Sequence, residues 1–123
     1  MPILAKKILI VDDDIAVRNL LNEILTFHGY DVDCVSNGED AIKLIKAKHY
    51  DVLVTDYMMP GINGIELVKK ARDIKSSMPI IGMSGSYNEK NFLAAGANLF
   101  IAKPFVFKKL KDILEKELLI LNS

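Results

Sequence analysis

Short apolar runs alternate with amphipathic stretches along the whole chain. Ile8-Leu9-Ile10-Val11, Val52-Leu53-Val54-Thr55, Pro79-Ile80-Ile81-Gly82-Met83 and Leu99-Phe100-Ile101-Ala102 are compact and apolar without alternation, the pattern of strands covered on both faces. Asp31 to Val35 alternates polar and apolar residues and predicts a strand nearer a sheet edge. Between these runs the spacing is helical. Residues Ile15 to His28 carry Val17, Leu20, Leu21, Ile24 and Leu25, and Gly29 follows as a natural stop. Gly38 to Lys48 predicts a helix that buries Ala41, Ile42, Leu44 and Ile45. Asn63 reads as an N-cap with Glu66 completing a capping box, for a helix running to about Ile74. Asn88 to Ala95 is a short helix, and Val106 to about Leu121 the last, with Leu110, Ile113, Leu114, Leu118 and Leu121 at helical spacing.

Five strands and five helices in strict alternation call for right-handed βαβ units and a parallel sheet with helices on both faces. The expected fold is therefore α/β, a flavodoxin-like doubly wound (βα)5 sandwich with strand order 2-1-3-4-5. In such sheets a ligand sits beyond the carboxyl ends of the strands, where the order reverses between strands 1 and 3. That place can be inspected directly. Strand 1 ends in Asp12-Asp13-Asp14, strand 3 in Asp56, strand 4 near Ser84 and strand 5 in Lys103-Pro104. Asp14 is expected to cap the helix that begins at Ile15. The remaining acids repel one another and raise each other's pKa. A hard divalent cation held through oxygens offsets that repulsion, and Mg²⁺ is the expected ion. Lys103 adds a positive charge from the other side.

Composition narrows the function classes. Half of the 123 residues are apolar, enough for a core, and 16 basic residues balance 16 acidic ones. The basic footprint of a nucleic-acid binder is missing, so no direct nucleic-acid contact is expected. The one cysteine, Cys34, is expected to act as a small buried hydrophobe. The longest apolar runs are about five residues, far from the ~20 that span a bilayer, and a cytoplasmic location without membrane insertion is expected. His28 and His49 lie near helix ends, where a cation is favoured, and Lys108, Lys109 and Lys111 read as a solvated face.

Four motifs carry a resemblance. Ile8-Leu9-Ile10-Val11-Asp12-Asp13, then Thr55-Asp56-Tyr57-Met58-Met59-Pro60-Gly61 with Asn63-Gly64, then Met83-Ser84-Gly85, then Ala102-Lys103-Pro104-Phe105 together resemble the receiver domains of response regulators, over essentially the whole chain. The resemblance is to the single-domain chemotaxis and sporulation regulators, and implies one receiver unit over residues 1–123 with no output domain after Leu121. It implies that Asp56 is the phosphoacceptor, that Asp13 is a direct metal ligand with Asp12 acting through water, and that the Met58 backbone carbonyl joins the shell of Mg²⁺, for which Mn²⁺ can substitute. Ser84 takes the hydroxyl position that bonds the phosphoryl oxygen, Lys103 pairs with the phosphoryl group ahead of a cis bond to Pro104, and Phe100 is the aromatic switch. Ser84 stands where Thr is commoner, and Phe100 where Tyr is also common. The implied partners are a sensor histidine kinase or histidine phosphotransferase upstream and a target protein downstream. The implied role is that of a regulator that assists its own phosphorylation and dephosphorylation, rather than an enzyme.

This assignment agrees with the chemistry, because phosphoryl transfer is mostly positioning plus charge stabilisation, and a carboxylate is a competent covalent acceptor. Met58, two residues past the acceptor, cannot orient an attacking water, whereas Ser86 is small enough to admit one from the other side. The first helix carries more apolar residues than one core stripe needs, so part of that surface, with Pro104-Phe105 as a second wall, is expected to receive the helical phosphodonor. Two other functions share parts of the pattern. Asp12-x-Asp14 matches the D-x-D of haloacid-dehalogenase-like aspartyl phosphatases, which normally continue with Gly or Thr in a longer chain. A pseudo-receiver that binds without being phosphorylated would show an incomplete acid site, and here the set is complete. A flavin-binding flavodoxin is excluded, since three acids stand where its phosphate-cradling loop would need glycines and hydroxyls.

Overall fold

The computed structural model describes residues 5–85, 88–104 and 107–122, with side chains described as far as residue 116 in the last helix. The elements run β1 (Lys7–Val11), α1 (Ile15–Phe27), β2 (Asp31–Val35), α2 (Gly38–Ala47), β3 (Val52–Asp56), α3 (Gly64–Ile74), β4 (Ile80–Ser84), α4 (Glu89–Ala95), β5 (Leu99–Ala102) and α5 (Phe107–Asn122). The strands form one parallel sheet in the order β2-β1-β3-β4-β5, as the alternation predicts.

The pleat sorts each strand's residues to opposite faces. Leu9, Val11 and Leu53 pack with Ala41 and Ile45 of α2, Leu67, Val68 and Ala71 of α3, and Phe92 of α4. Ile8, Ile10, Val52 and Val54 pack with Leu21 and Leu25 of α1 and with Leu110 and Leu114 of α5. Both faces of the central strands are thus covered, and Ile8 to Val11 and Val52 to Val54 are fully buried. At about 25 cal/mol per Å² of apolar surface removed from water, these strands are the main hydrophobic contribution to stability. β5 departs from the two-sided expectation. It is the second sheet edge, and Leu99, Phe100 and Ala102 keep solvent contact.

The helix starts follow local chemistry. Asp14, Asn37 and Asn63 each cap the helix that follows, and Asn63 with Glu66 closes the predicted capping box. α1 stops at His28, whose ring Nδ1 lies 2.9 Å from the Ile24 carbonyl, and Gly29 takes a positive φ of 92°. His49 lies 3.1 Å from Asp51 rather than at a helix terminus proper. Lys108 and Lys109 are exposed and Lys111 pairs with Glu115 at 3.6 Å, as a solvated face would. Cys34 is partly buried, and burial pushes its thiol pKa up. Among the described residues no helix is long and apolar enough to cross a membrane. The expected contributions of Leu118 and Leu121 fall outside the described side chains.

Candidate functional site

The parallel order puts the carboxyl ends of β1, β3, β4 and β5 side by side. Val11 pairs with Thr55, Asp56 with Met83 and Ser84 with Ala102, so the residues just past each strand share one mouth. Asp12, Asp13 and Asp56 each offer a carboxylate oxygen within 4.8 Å of the others. Asp12 is fully buried, Asp56 is 8% exposed and Asp13 is open to solvent. Lys103 reaches in from the end of β5, its Nζ 2.7 Å from Asp12 Oδ2 and 3.3 Å from Asp56 Oδ1. Ser84 is 2% exposed, and its Oγ accepts a hydrogen bond from Asn88 Nδ2 at 3.1 Å.

Local backbone chemistry holds these groups in place. Asp12 Oδ1 accepts from the Asp14 N–H at 2.9 Å and Oδ2 is engaged by Lys103, so both oxygens of this buried acid are occupied. Its carbonyl accepts from Arg18 Nη1 of α1 at 2.7 Å. Asp14 turns away and accepts from the Ala16 N–H, which is the capping role its position predicts. After Asp56 the chain folds back until the Gly64 N–H donates to the Tyr57 carbonyl at 2.8 Å. A β-carbon on Gly64 would stand 2.0 Å from the Asp56 carbonyl oxygen, so only glycine lets α3 begin this close. The Lys103–Pro104 bond is cis. Met58 is exposed beside the mouth, and Phe100 is half-buried with its ring 5.8 Å from that of Phe92.

The electrostatics match this crowding. Burial, then the charge of Asp12, raises the pKa of Asp56, while Lys103 and the Tyr57 N–H pull it back. Repulsion between acids was the expected cause, and desolvation is the larger one. Lys103 loses solvation too, but its hydrogen bonds and charge contacts with Asp12 and Asp56 leave its pKa above the ordinary value. With only oxygen donors on offer, the three acids fit a hard divalent ion and not a soft one.

The expected apolar surface beside the mouth is present. Leu21 and Leu25 are buried, but Ile15 and Leu20 are 63% and 56% exposed. A groove of about 540 Å³ runs between Val17, Leu20 and Ile24 on one side and Pro104 and Phe107 on the other. Pro104 stands in the second wall as expected, with Phe107 beside it; the expected Phe105 lies outside the described residues, as does Ser86. Three contributors are not evident from spacing: Arg18 beneath Asp12, Asn88 on Ser84, and Gly82, whose missing β-carbon makes room for the Phe92 ring. Asn88 is legible only as a helix start, and an arginine one turn into a helix reads as a solvated side chain.

Known proteins carry the same organisation. The chain is 40% identical over 112 residues to the sensor protein EvgS of Escherichia coli, covering 89% of this chain and 9% of that protein. It is 36% identical over 107 residues to the response regulator MprA of Mycolicibacterium vanbaalenii, covering 85% of this chain and 46% of that protein. The chain thus spans under half the length of these curated relatives. Among solved structures, the response regulator TrrA of Thermotoga maritima in complex with Mg(2+)-BeF superposes with a TM-score of 0.85 at 34% identity, over 91% of this chain and 98% of that one. TrrA in complex with the histidine kinase ThkA gives 0.84 at 36% identity, over 92% of this chain and 98% of that one. The response regulator receiver domain profile matches residues 8–115, and with the sheet order and the mouth of acids, hydroxyl and lysine in place, the chain belongs to the receiver domain family of two-component response regulators.

Proposed function

We propose that the chain is a phosphorylation-dependent switch whose Asp56 accepts a phosphoryl group from a phosphohistidine partner in the cytoplasm. The observation that carries this reading is the nearly buried Asp56 carboxylate, with a raised pKa, between two acids and the Lys103 ammonium. An Asp56 oxygen attacks phosphorus, the bond from phosphorus to the donor breaks, and the donor departs with that electron pair. Lys103 balances charge on the transferring oxygens, and the Ser84 hydroxyl donates to one of them. Asp12, Asp13, Asp56 and the Met58 carbonyl would hold Mg²⁺, or Mn²⁺ in its place, which supplies further positive charge against the acids and the phosphoryl oxygens. The occupied oxygens of Asp12 favour a contact through water for that residue, and weigh against Asp12 as the nucleophile of an aspartyl phosphatase.

The groove between α1 and Pro104 suits an apolar helix carrying the phosphodonor, and the complex of TrrA with a histidine kinase supports a kinase-class partner. A new doubly charged group on Asp56 draws Ser84 and opens space for Phe100, altering the β4–α5 face for a downstream target protein. The test is incubation with acetyl phosphate and Mg²⁺, read by intact-mass spectrometry. One phosphoryl group is expected on the parent and none on Asp56→Asn; equal labelling of the two would end the assignment. Mg²⁺ alone is expected to raise the thermal midpoint by mass action. Asp13→Ala should lose that response while matching or exceeding the parent's stability without metal, because one repelling charge is gone.

A further inference from the structure

The end of the sheet opposite the mouth carries a second cavity, which the phosphoacceptor reading leaves unused. The α2–β3 and α3–β4 connections both turn at the amino-terminal ends of the strands, and a cavity of about 490 Å³ lies between them. Its floor is apolar. Ile45, Met78 and Pro79 are buried, and so is Tyr50, whose hydroxyl donates to Asp33 Oδ2 at 2.5 Å. Its rim is mostly cationic, with Lys6, Lys48 and Lys75 set against a single acid, Asp51. Both oxygens of Asp51 are engaged by the protein itself, Oδ2 accepting from the Lys7 N–H at 2.8 Å and Oδ1 lying 3.1 Å from His49 Nε2. Lys48 keeps a 3.4 Å pair with Asp33, which stands outside the lining, and Lys75 pairs with no carboxylate among the described residues.

One wall of the cavity is a turn that the fold holds ready. The Met78 N–H donates to the Lys75 carbonyl at 3.3 Å, which closes the turn. Arg72 of α3 donates from Nη1 to the Ser76 and Met78 carbonyls at 3.0 and 2.6 Å, and from Nε and Nη2 to the Gly96 carbonyl at 3.2 and 2.6 Å. Three carbonyls of the turn are thus taken up, whereas the N–H and hydroxyl groups of Ser76 and Ser77 find no acceptor among the described residues. Used acceptors and unused donors favour an anion, and Arg72, which meets only neutral oxygens among the described residues, adds positive potential to the same wall.

We propose that this cavity binds a small organic anion, an apolar ring or chain ending in a carboxylate or phosphate, with the head group on Lys75 and the Ser76–Ser77 turn and the body over Tyr50 and Met78. Small-molecule sites run from about 300 to 1,000 Å³ and combine an apolar lining with a few convergent polar groups, which is the make-up of this cavity. A wall already fixed by Arg72 gives up little conformational freedom on binding. A bare inorganic anion would leave the apolar floor uncovered, and a neutral ring would leave the turn donors and Lys75 without a partner. No residue of the mouth lines the cavity, so the inference stands apart from the phosphoacceptor reading.

The experiment follows the backbone amide resonances of the full chain, without Mg²⁺, as phenyl phosphate, phenylacetate, inorganic phosphate or phenol is added. Phenyl phosphate or phenylacetate is expected to shift Ser76, Ser77 and Met78 saturably with a Kd on the order of 1 mM, as suits about ten heavy atoms, and the tighter of the two identifies the head group. Inorganic phosphate and phenol each keep half of the contacts and are expected to bind roughly tenfold more weakly or worse. Lys75→Glu, at an exposed position, is expected to keep the parent's thermal midpoint and to weaken binding roughly fivefold. Ser76→Pro removes one turn donor where proline suits a turn and Lys75 is already extended at φ −131°, ψ 87°, and a roughly threefold loss is expected. Shifts that do not saturate, that fall only at the mouth, or that are as strong with inorganic phosphate as with phenyl phosphate would overturn the proposal. So would the parent's affinity in either folded variant.

Discussion

Asp56 and Ser84 end neighbouring strands, but the halves of the mouth they belong to are built by different means. On the β1–β3 side, most contacts are made to backbone groups. Asp12 is buried with both oxygens engaged, Arg18 holds its carbonyl, α1 and α3 start from capped turns, and Gly64 lies against the Asp56 carbonyl. On the β4–β5 side the contacts run through side chains. Phe92 fills the notch over Gly82, Phe100 leans on Phe92 from an edge strand, and α4 is seven residues long with no side-chain cap. The acid cluster sits where the backbone cannot yield, and Ser84 and Phe100, the groups that move in the proposed switch, sit where a side chain can rotate. Elements with few such restraints are the ones that open and shift at low cost.

The two notch glycines test that contrast most severely. In Gly64→Ala the new β-carbon meets backbone at 2.0 Å, which neither side can relieve, and a loss of about 3 kcal/mol is expected by denaturant titration. In Gly82→Ala it meets the Phe92 ring at 2.5 Å, which can tilt, and about 2 kcal/mol is expected together with a changed environment at Phe100. Equal costs would erase the distinction between a rigid half and a yielding one.

Charge on the rigid half gives a smaller effect with a definite pH dependence. Burial and Asp12 place the folded pKa of Asp56 above its unfolded value, which is ordinary at about 3.9. Between these values the folded chain binds more protons, so stability is lost as pH rises through that window. Asp56→Asn is therefore expected to be more stable than the parent by about 1 kcal/mol at pH 7, with the advantage vanishing as the pH falls below the unfolded value. A variant that is less stable at neutral pH would mean that attraction to Lys103 outweighs desolvation.

The smallest expected effect lies at the rim between the halves. Met58 is 68% exposed and its thioether cannot hold an attacking water in line with a phosphorus on Asp56. Met58→Asn should speed phosphate release from the phosphorylated chain roughly threefold, under 1 kcal/mol of barrier. A release rate equal to the parent's would show that the exposed rim does not govern access of water.

Much of this molecule was legible in one dimension. Apolar runs such as Ile8 to Val11 mark strands covered on both faces, Asp14 and Asn63 announce helix starts, and alternation of the elements leads to a five-stranded parallel sheet. Because such a sheet brings its strand ends together, Asp12, Asp13, Asp56, Ser84 and Lys103 could be assembled before any coordinates, and the spare apolar residues of α1 marked the groove beside them. These features depend on local propensity, period and topology, which a chain carries in its own order of residues. What only the tertiary structure decided depends on distance between residues far apart in sequence, or on competition for one partner. Burial rather than repulsion dominates at Asp56, both oxygens of Asp12 are occupied, and Phe107 joins Pro104 in walling the groove. Asn88 is the clearest case, since its residue type specifies a cap while the nearby Ser84 hydroxyl, brought within 3.1 Å by the end of β4, takes its amide instead.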